Sequence, residues 1–436
     1  MIMVWVEIFV VLASIVLGLR FEGIAIGLFG GLGLAILTLG LRLPIGSVPI
    51  DVILIIMSVS LSAATLQATG GMAFLVNYAE RLMRKNPKHI NFIAPMITWL
   101  MTIFAGTGFI VFSTLPVIAE VAKESGIRPS RVLSGAVVSS QLAVAGSPIS
   151  AAMAAMITIM ENNSVTFFQV MVVCLPVSFV ASMVAAFVAS KQGCELKDDP
   201  VYLQRLQDGL VSKTEYKTSD TPKSAKISVL IFLLATVVIV LFATLPSLRP
   251  VYESGKAMGT RDIIVVVMLT SACLMLVTSK TKPEAVVTNS TFRSGMSSVA
   301  VILGIVTLGI TFVDAHLGNI KEIAGDVLHT YPMLLAPVLF FTCALLYSQG
   351  STTPLIIPLA VALGVPNWAI LGSFVAVTGI FLLPTYPTSL AAMEMDTTGT
   401  TRVGKYILNH PFMLPALLGV IAGVAFGFAW APIIVK

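Results

Sequence analysis

Charge is what this sequence has least of. Only 11% of its 436 residues are Asp, Glu, Lys or Arg, against about 25% in a soluble domain. Hydrophobic residues reach 57%, and the mean hydropathy is +0.96. No soluble core of this length hides so much apolar surface. The excess faces lipid, so the chain is a multi-pass membrane protein whose first partner is the bilayer. That excludes a soluble enzyme, a secreted disulfide scaffold and a nucleic-acid binder. The net charge of +5 is no sign of nucleic acid. In membrane proteins Lys and Arg gather on cytoplasmic loops, so charge reports orientation.

Further absences narrow the chemistry. Cys174, Cys194, Cys273 and Cys343 form no Cys-x-x-Cys pair, which argues against a disulfide framework or a zinc site. His89, His316, His329 and His410 are scattered without metal-ligand spacing. No metal and no cofactor is expected. No chain of Asp, Glu or His lies within the spans, so no dedicated proton relay is written there. Coupling to Na+ or H+ stays open. The first residues lack a basic stretch and a small-residue cleavage site, so 3–19 is expected as a retained helix. Gly399 to Tyr406 nearly spells a phosphate-binding loop, but it ends in Tyr and is flanked by membrane helices.

What is present is a series of apolar runs. At 1.5 Å per residue about 20 residues cross the hydrocarbon. Runs of that kind fall at 3–19, 23–41, 50–66, 132–160, 166–190, 227–246, 262–279, 295–313, 367–393 and 411–434. Two more, 91–122 and 333–364, carry polar, Gly-rich centres: Ala105 to Gly108, and Ser348 to Pro354. Each half is short for a crossing, which fits a re-entrant hairpin. The runs 132–160 and 367–393 are interrupted by Gly146-Ser147-Pro148-Ile149-Ser150 and by Pro384-Thr385-Tyr386-Pro387-Thr388-Ser389. Proline removes a backbone donor and clashes with the preceding turn, so such clusters open a helix. A simple kink is the plainer reading of one Pro. Two clusters in corresponding places favour broken helices.

The order of three helices, a polar segment, a hairpin, a broken helix and one helix occurs twice. Pro148-Ile149-Ser150 is echoed by Pro387-Thr388-Ser389, and Pro116 after Thr107 by Pro358 after Gln349. The expected fold is all-α, with two inverted repeats, each of five membrane helices plus one re-entrant hairpin. Residues 1–190 form the first repeat, 191–226 a cytoplasmic connecting loop and 227–436 the second repeat. Five crossings per repeat turn the second copy over. With both termini outside, in the periplasm, 20 of the 26 Lys and Arg fall inside. The opposite orientation would reverse that ratio. Trp5, Trp368 and Trp430 then lie near the outer interface. Inverted repeats, discontinuous helices and opposed hairpins point to a secondary transporter, with its site where the breaks meet.

Several blocks carry a family resemblance. They are Thr102 to Gly108, Leu115 to Glu124, Ser147 to Ala152, Leu345 to Gln349, Leu383 to Thr388 and Thr398 to Arg402, with Asp198-Asp199-Pro200 and Asn409-His410-Pro411-Phe412. The chain resembles, nearly end to end, the Dcu family of anaerobic four-carbon dicarboxylate transporters of bacteria. The resemblance implies an inner-membrane exchanger of fumarate, succinate, malate and aspartate, and a homodimer. It also implies membership of the wider ion-transporter superfamily, with an elevator in which a transport domain slides against a scaffold. Residues 1–66 and 227–313 would be the scaffold. Three positions depart from the family pattern: Phe109 stands where Asn is frequent, Pro354 where Lys or a polar residue is frequent, and Thr397 where a second acid is frequent.

Ser147, Pro148, Ser150, Thr385, Thr388 and Ser389 at the helix breaks are expected substrate contacts. So are Thr107, Gly108, Ser348, Gln349, Ser351, Thr352 and Thr353 at the hairpin tips. Hydroxyls that bond to their own helix carbonyls are the plainer alternative. Gln141 suits packing and binding equally. Arg131 and Arg402 are the nearest cationic partners for a dianion, and Asp396 either pairs with Arg402 on a short loop or helps bind a cation. For the two Arg, a snorkelling orientation charge is the favoured reading. In helix two, Gly23, Gly27 and Gly31 are expected to form a small-residue packing face. A cation-coupled carrier of another small carboxylate is the alternative function. An anion channel is the less favoured alternative, since a channel needs a continuous polar pore and polarity here is confined to the hairpin tips and helix breaks. An intramembrane enzyme would need a paired nucleophile and base, and none presents itself.

Overall fold

A computed structural model describes residues 2–21, 24–211, 223–253, 255, 257–320 and 326–435. Residues 212–222 of the expected connecting loop, and Gly23 of the expected glycine face, lie outside the described residues. The fold is all-helical, with no β-strand among the described residues and one isolated bridge, Val251 to Ala257.

In the first half α1 (Ile2–Phe21), α2 (Ala25–Ala35) and α3 (Ile50–Ala68) are followed by α4 (Gly71–Lys85), α5 (Ile90–Ala105) and α6 (Leu115–Glu124). Then come α7 (Pro129–Leu142), α8 (Ala151–Glu161), α9 (Phe167–Ser190) and the short α10 (Pro200–Gln207). The second half runs through α11 (Lys223–Thr244), α12 (Thr260–Ser279), α13 (Pro283–Val287), α14 (Ser290–Val301), α15 (Thr307–Ile320) and α16 (Asp326–Thr330). It closes with α17 (Leu335–Leu346), α18 (Gln349–Ala362), α19 (Asn367–Ser373), α20 (Pro387–Met395) and α21 (Met413–Ile434). Among the described residues, seven helical stretches are long and apolar enough to cross a membrane, and four shorter apolar ones accompany them. The stretch 367–393 falls in the short class because its break divides it.

Both polar-centred runs fold back on themselves. Arg84, near the end of α4, bonds Glu124 at the end of α6 at 2.6 Å. The start of α5 and the end of α6 therefore share one end of the helix pack. The turn before α17 lies beside the start of α19, just after α18 ends. That second hairpin base sits at the other end, where the Asn367 side chain donates to the Asn163 carbonyl at 3.3 Å. The two hairpins thus enter from opposite ends.

Local chemistry sets the exact breaks. The first hairpin turns at Gly106, whose φ of +72° suits glycine and whose Cβ position would lie 2.8 Å from the Ile149 carbonyl oxygen. The second break is narrower than the sequence suggests. Only Tyr347 and Ser348 are non-helical, because Ser348 caps α18 by accepting from the Ser351 N–H at 3.2 Å. Ser351, Thr352, Thr353 and Pro354 are already helical. The Pro echo also splits: Ser150 is the cap of α8, whereas Pro387 is the first residue of α20, which places Ser389 inside the helix. The amphipathic α4 has no counterpart in the apolar-run reading, since its buried face is narrow and it ends on Arg84 and Lys85.

Helix two packs by glycine, but not on the expected face. Positions for Cβ at Gly27 and Gly30 lie 2.3 Å from the Ala300 carbonyl oxygen and 2.2 Å from the Ile305 nitrogen, whereas nothing lies within 4 Å of Gly31. The packing face is therefore Gly27 and Gly30. Gly30→Leu should destabilise the protein by about 1–3 kcal/mol through overpacking. Gly31→Ala should be neutral or stabilising by up to about 1 kcal/mol. Equal melting temperatures in detergent for the two variants would contradict this packing.

Candidate functional site

The two hairpin tips and both helix breaks meet at one cavity of about 820 Å³. That lies within the range of about 300–1,000 Å³ usual for small-molecule sites. One wall holds Gly106 to Phe109, Tyr347 to Gly350, the start of α8 at Ala151 and Ala152, and Thr385 to Pro387. The facing wall belongs to α3 and α14 and carries Ser60, Thr291, Ser294 and Ser298.

Four helical segments begin at this cavity: the 3-10 turn Gly108–Ser113, α8, α18 and α20. The first N–H groups of a helix have no partner within it. Capping removes some of them. Thr107 accepts from the Phe109 N–H at 3.3 Å, and Ser150 from the Met153 N–H at 3.1 Å. The N–H groups ahead of the capped ones in α8 and α18 point along helix ends that carry partial positive charge. No Lys or Arg lines the cavity among the described residues, and its one charged side chain is Glu394. The arrangement suits an anionic ligand held by dipoles and hydroxyls.

Of the expected contacts, Thr107, Gly108, Ser348, Gln349 and Thr385 line the cavity. Ser147, Pro148, Ser150, Ser351, Thr352, Thr353, Thr388 and Ser389 are buried behind its surface. Carbonyls freed by the breaks explain the placement of Ser147 and Ser150, and back-bonding to their own helix explains Thr352 and Thr353. Ser147 donates to the Ile103 carbonyl at 2.8 Å and Ser150 to the Val144 carbonyl at 2.7 Å. Thr352 and Thr353 donate to the carbonyls of Ser348 and Gln349 at 2.7 and 2.9 Å. A broken helix at membrane depth must satisfy its own backbone, and the nearest hydroxyls do so. Among the described residues the buried hydroxyls of Thr388 and Ser389 have no partner.

The charge candidates also lie off the cavity. Arg131 donates to the carbonyls of Gln192 and Gly193 at 2.7 and 2.8 Å and pairs with Glu195 at 3.0 Å. Asp396 accepts from the Thr401 N–H at 2.7 Å and the Thr400 hydroxyl at 2.8 Å, and from Thr398. Arg402 lies 3.6 Å from Asp199, which also pairs with Arg128 at 2.6 Å. Burial pushes the Asp199 carboxyl up. The Tyr202 N–H, Arg128, Arg402 and the Val201 N–H together outweigh it and hold the group below its usual range.

Gln349 ties the site together. Its amide donates to the Gln141 carbonyl at 3.0 Å and to the Thr378 hydroxyl at 3.1 Å. It joins the second hairpin tip to both broken helices. Gln141 itself packs on Gly108, where a Cβ would lie 2.5 Å from the Gln141 amide.

Sequence reasoning missed Ser60, Tyr347, Tyr386, Glu394 and the α14 hydroxyls. The spacing of Thr291, Ser294 and Ser298 puts them on one helical face, a signal that was available.

The chain is similar to known proteins along its length. The family model for anaerobic C4-dicarboxylate membrane transporters matches residues 3–435. The C4-dicarboxylate transporter DcuA of Wolinella succinogenes is 47% identical over 428 residues, covering 98% of this chain and 99% of the relative. DcuA of Escherichia coli K12 is 44% identical, and the anaerobic transporter DcuB of Escherichia coli O6:H1 is 33% identical, each with 98% of both chains covered. Among solved structures, Neisseria gonorrhoeae MtrF aligns with a TM-score of 0.54 at 14% identity, covering 87% of this chain and 80% of the other. The Alcanivorax borkumensis YdaH transporter aligns with a TM-score of 0.54 at 12% identity, covering 88% and 86%. These two likenesses concern the fold.

Gln349→Ala removes the side-chain donor of the buried Gln141 carbonyl and of Thr378. It should cost about 1–3 kcal/mol, seen as a lower melting temperature in detergent. An unchanged melting temperature would remove Gln349 from its bracing role.

Proposed function

We propose a function from one premise: this chain belongs to the family of anaerobic C4-dicarboxylate membrane transporters. It exchanges four-carbon dicarboxylates, among them fumarate, succinate, malate and aspartate, across the bacterial inner membrane. The observation that carries this reading is the cavity: four helical segments begin at it, hydroxyls line it and, among the described residues, no basic side chain does.

The chemistry follows from that lining. The starts of α8 and α18 each present about half a positive charge and free N–H donors, which suits a carboxylate. A diacid has two such groups and bridges the hairpin tips. An empty site leaves several positive helix ends uncompensated in a low-dielectric setting, which is costly. Reorientation is therefore favoured with an anion bound, and exchange of one diacid for another keeps the site filled in both directions. No ion is required for that step.

The opposed hairpins support two inverted repeats, 1–190 and 227–436, with both termini on the outer face. The wall of α3 and α14 belongs to the scaffold, and the hairpins and broken helices to the moving part. In an elevator cycle the site slides past the Ser and Thr face of α14, a surface of small polar groups without projecting side chains.

Proteoliposomes loaded with unlabelled succinate should accumulate labelled fumarate or aspartate well above vesicles without internal diacid. Absence of counterflow for every four-carbon dicarboxylate would refute the reading. Equal uptake with and without internal diacid would favour a channel or a simple carrier over exchange.

A further inference from the structure

The second hairpin turns at a residue unsuited to its backbone. Tyr347 has a φ of +52°, in the left-handed region that disfavours a bulky side chain. The first hairpin solves the same turn with Gly106. The other non-glycine residues of positive φ, Arg42, Ser164 and Lys280, are exposed in loops, whereas Tyr347 lines the cavity. Strain kept at a site, where glycine would remove it, points to a need for the side chain.

Its surroundings show what the side chain does. The Tyr347 hydroxyl shares a hydrogen bond with the Thr385 hydroxyl. Its ring lies 5.8 Å from Tyr386, which stacks on Phe109 at 6.0 Å with planes 10° apart. Phe109 in turn stacks on Phe112 at 5.8 Å. The ring ladder runs from one hairpin tip, across the second helix break, to the other tip. Phe109, Tyr347 and Tyr386 all line the cavity. They form an apolar wall between the helix starts that suit carboxylates.

Resting on the exchange reading above, we propose that Tyr347, braced by Tyr386 and Phe109, is a specificity-determining residue that restricts the site to unbranched diacids. Aromatic faces carry partial negative charge and offer no donors. A third carboxylate or a bulky branch carried against this wall would lose its water without gaining a hydrogen bond. A slender diacid meets the wall with its carbons, and the small hydroxyl or amino group of malate or aspartate can face the Ser and Thr wall of α14 instead.

The test uses wild type, Tyr347→Gly, Tyr347→Phe and Phe109→Ala in succinate-loaded proteoliposomes, with labelled succinate and labelled citrate supplied outside. Glycine relieves the backbone at 347 but removes the Thr385 hydrogen bond and the Tyr386 ring contact, so Tyr347→Gly should stay folded while melting lower than wild type. Its citrate-to-succinate uptake ratio should rise about 10-fold, the scale of steric discrimination in a pocket. Phe109→Ala, which keeps the turn intact, should raise the ratio too. Tyr347→Phe keeps the ring and should hold the wild-type ratio. Unchanged ratios in both Tyr347→Gly and Phe109→Ala, with succinate exchange intact in wild type, would overturn the inference alone. A raised ratio in Tyr347→Phe equal to that of Tyr347→Gly would overturn the ring's role. Failure of wild type to exchange any diacid would overturn the exchange reading itself.

Discussion

Backbone broken at membrane depth must find its hydrogen bonds inside the protein, and this constraint organises the structure. Hairpin tips and helix breaks expose N–H and C=O groups that lipid cannot satisfy. The fold answers by bringing all four breaks to one place. Gln349 supplies two donors there, one to the Gln141 carbonyl and one to Thr378. Ser147 reaches from one broken segment to the Ile103 carbonyl of the first hairpin. The carbonyls are answered by side chains. The N–H groups at helix starts are only partly answered, and they border the cavity. A cavity suited to an anion is what remains when the acceptors have been satisfied and some donors have not.

The distribution of charge follows the same logic. Basic residues are engaged at the end of the helix pack where α7 starts and α20 ends. Arg128 and Arg402 hold Asp199 of the connecting segment, and Arg205 donates to the Thr397 carbonyl at 3.0 Å. The segment leading into α10 is thereby tied to loops from both halves of the chain. None of these cations enters the cavity. A full positive charge in the site would bind a dianion tightly and slow its release. Under the proposed exchange, partial charges at helix ends would bind it without that penalty, which suits loading and unloading on both faces.

Much of this was legible in the sequence because hydropathy and punctuation report it directly. Low charge gave the membrane class, and the clusters at Ala105–Gly108 and Gly146–Ser150 marked real breaks. The division between wall and interior was not legible. Ser147 and Thr107 look alike in a string of residues. Only the fold shows that the first answers the Ile103 carbonyl while the second lines the cavity. The Ser, Thr and Pro after Gln349 read as a long break, yet Ser348 capping draws them into α18. Ser60 gave no signal because it lines the site from a helix whose apolar run suggested only a scaffold, whereas the spacing of Thr291, Ser294 and Ser298 did mark one helical face. Tyr347 was hidden for another reason, since a sequence does not display a positive φ.

The central claim is that helix starts and hydroxyls, rather than basic side chains, hold the transported anion. A structure determined with a four-carbon dicarboxylate bound tests it most directly. The account predicts density for the diacid between the Thr107–Gly108 and Ser348–Gln349 tips, with its carboxylates facing the starts of α8 and α18. A diacid found instead on Arg128, Arg131 or Arg402, away from both tips, would contradict it.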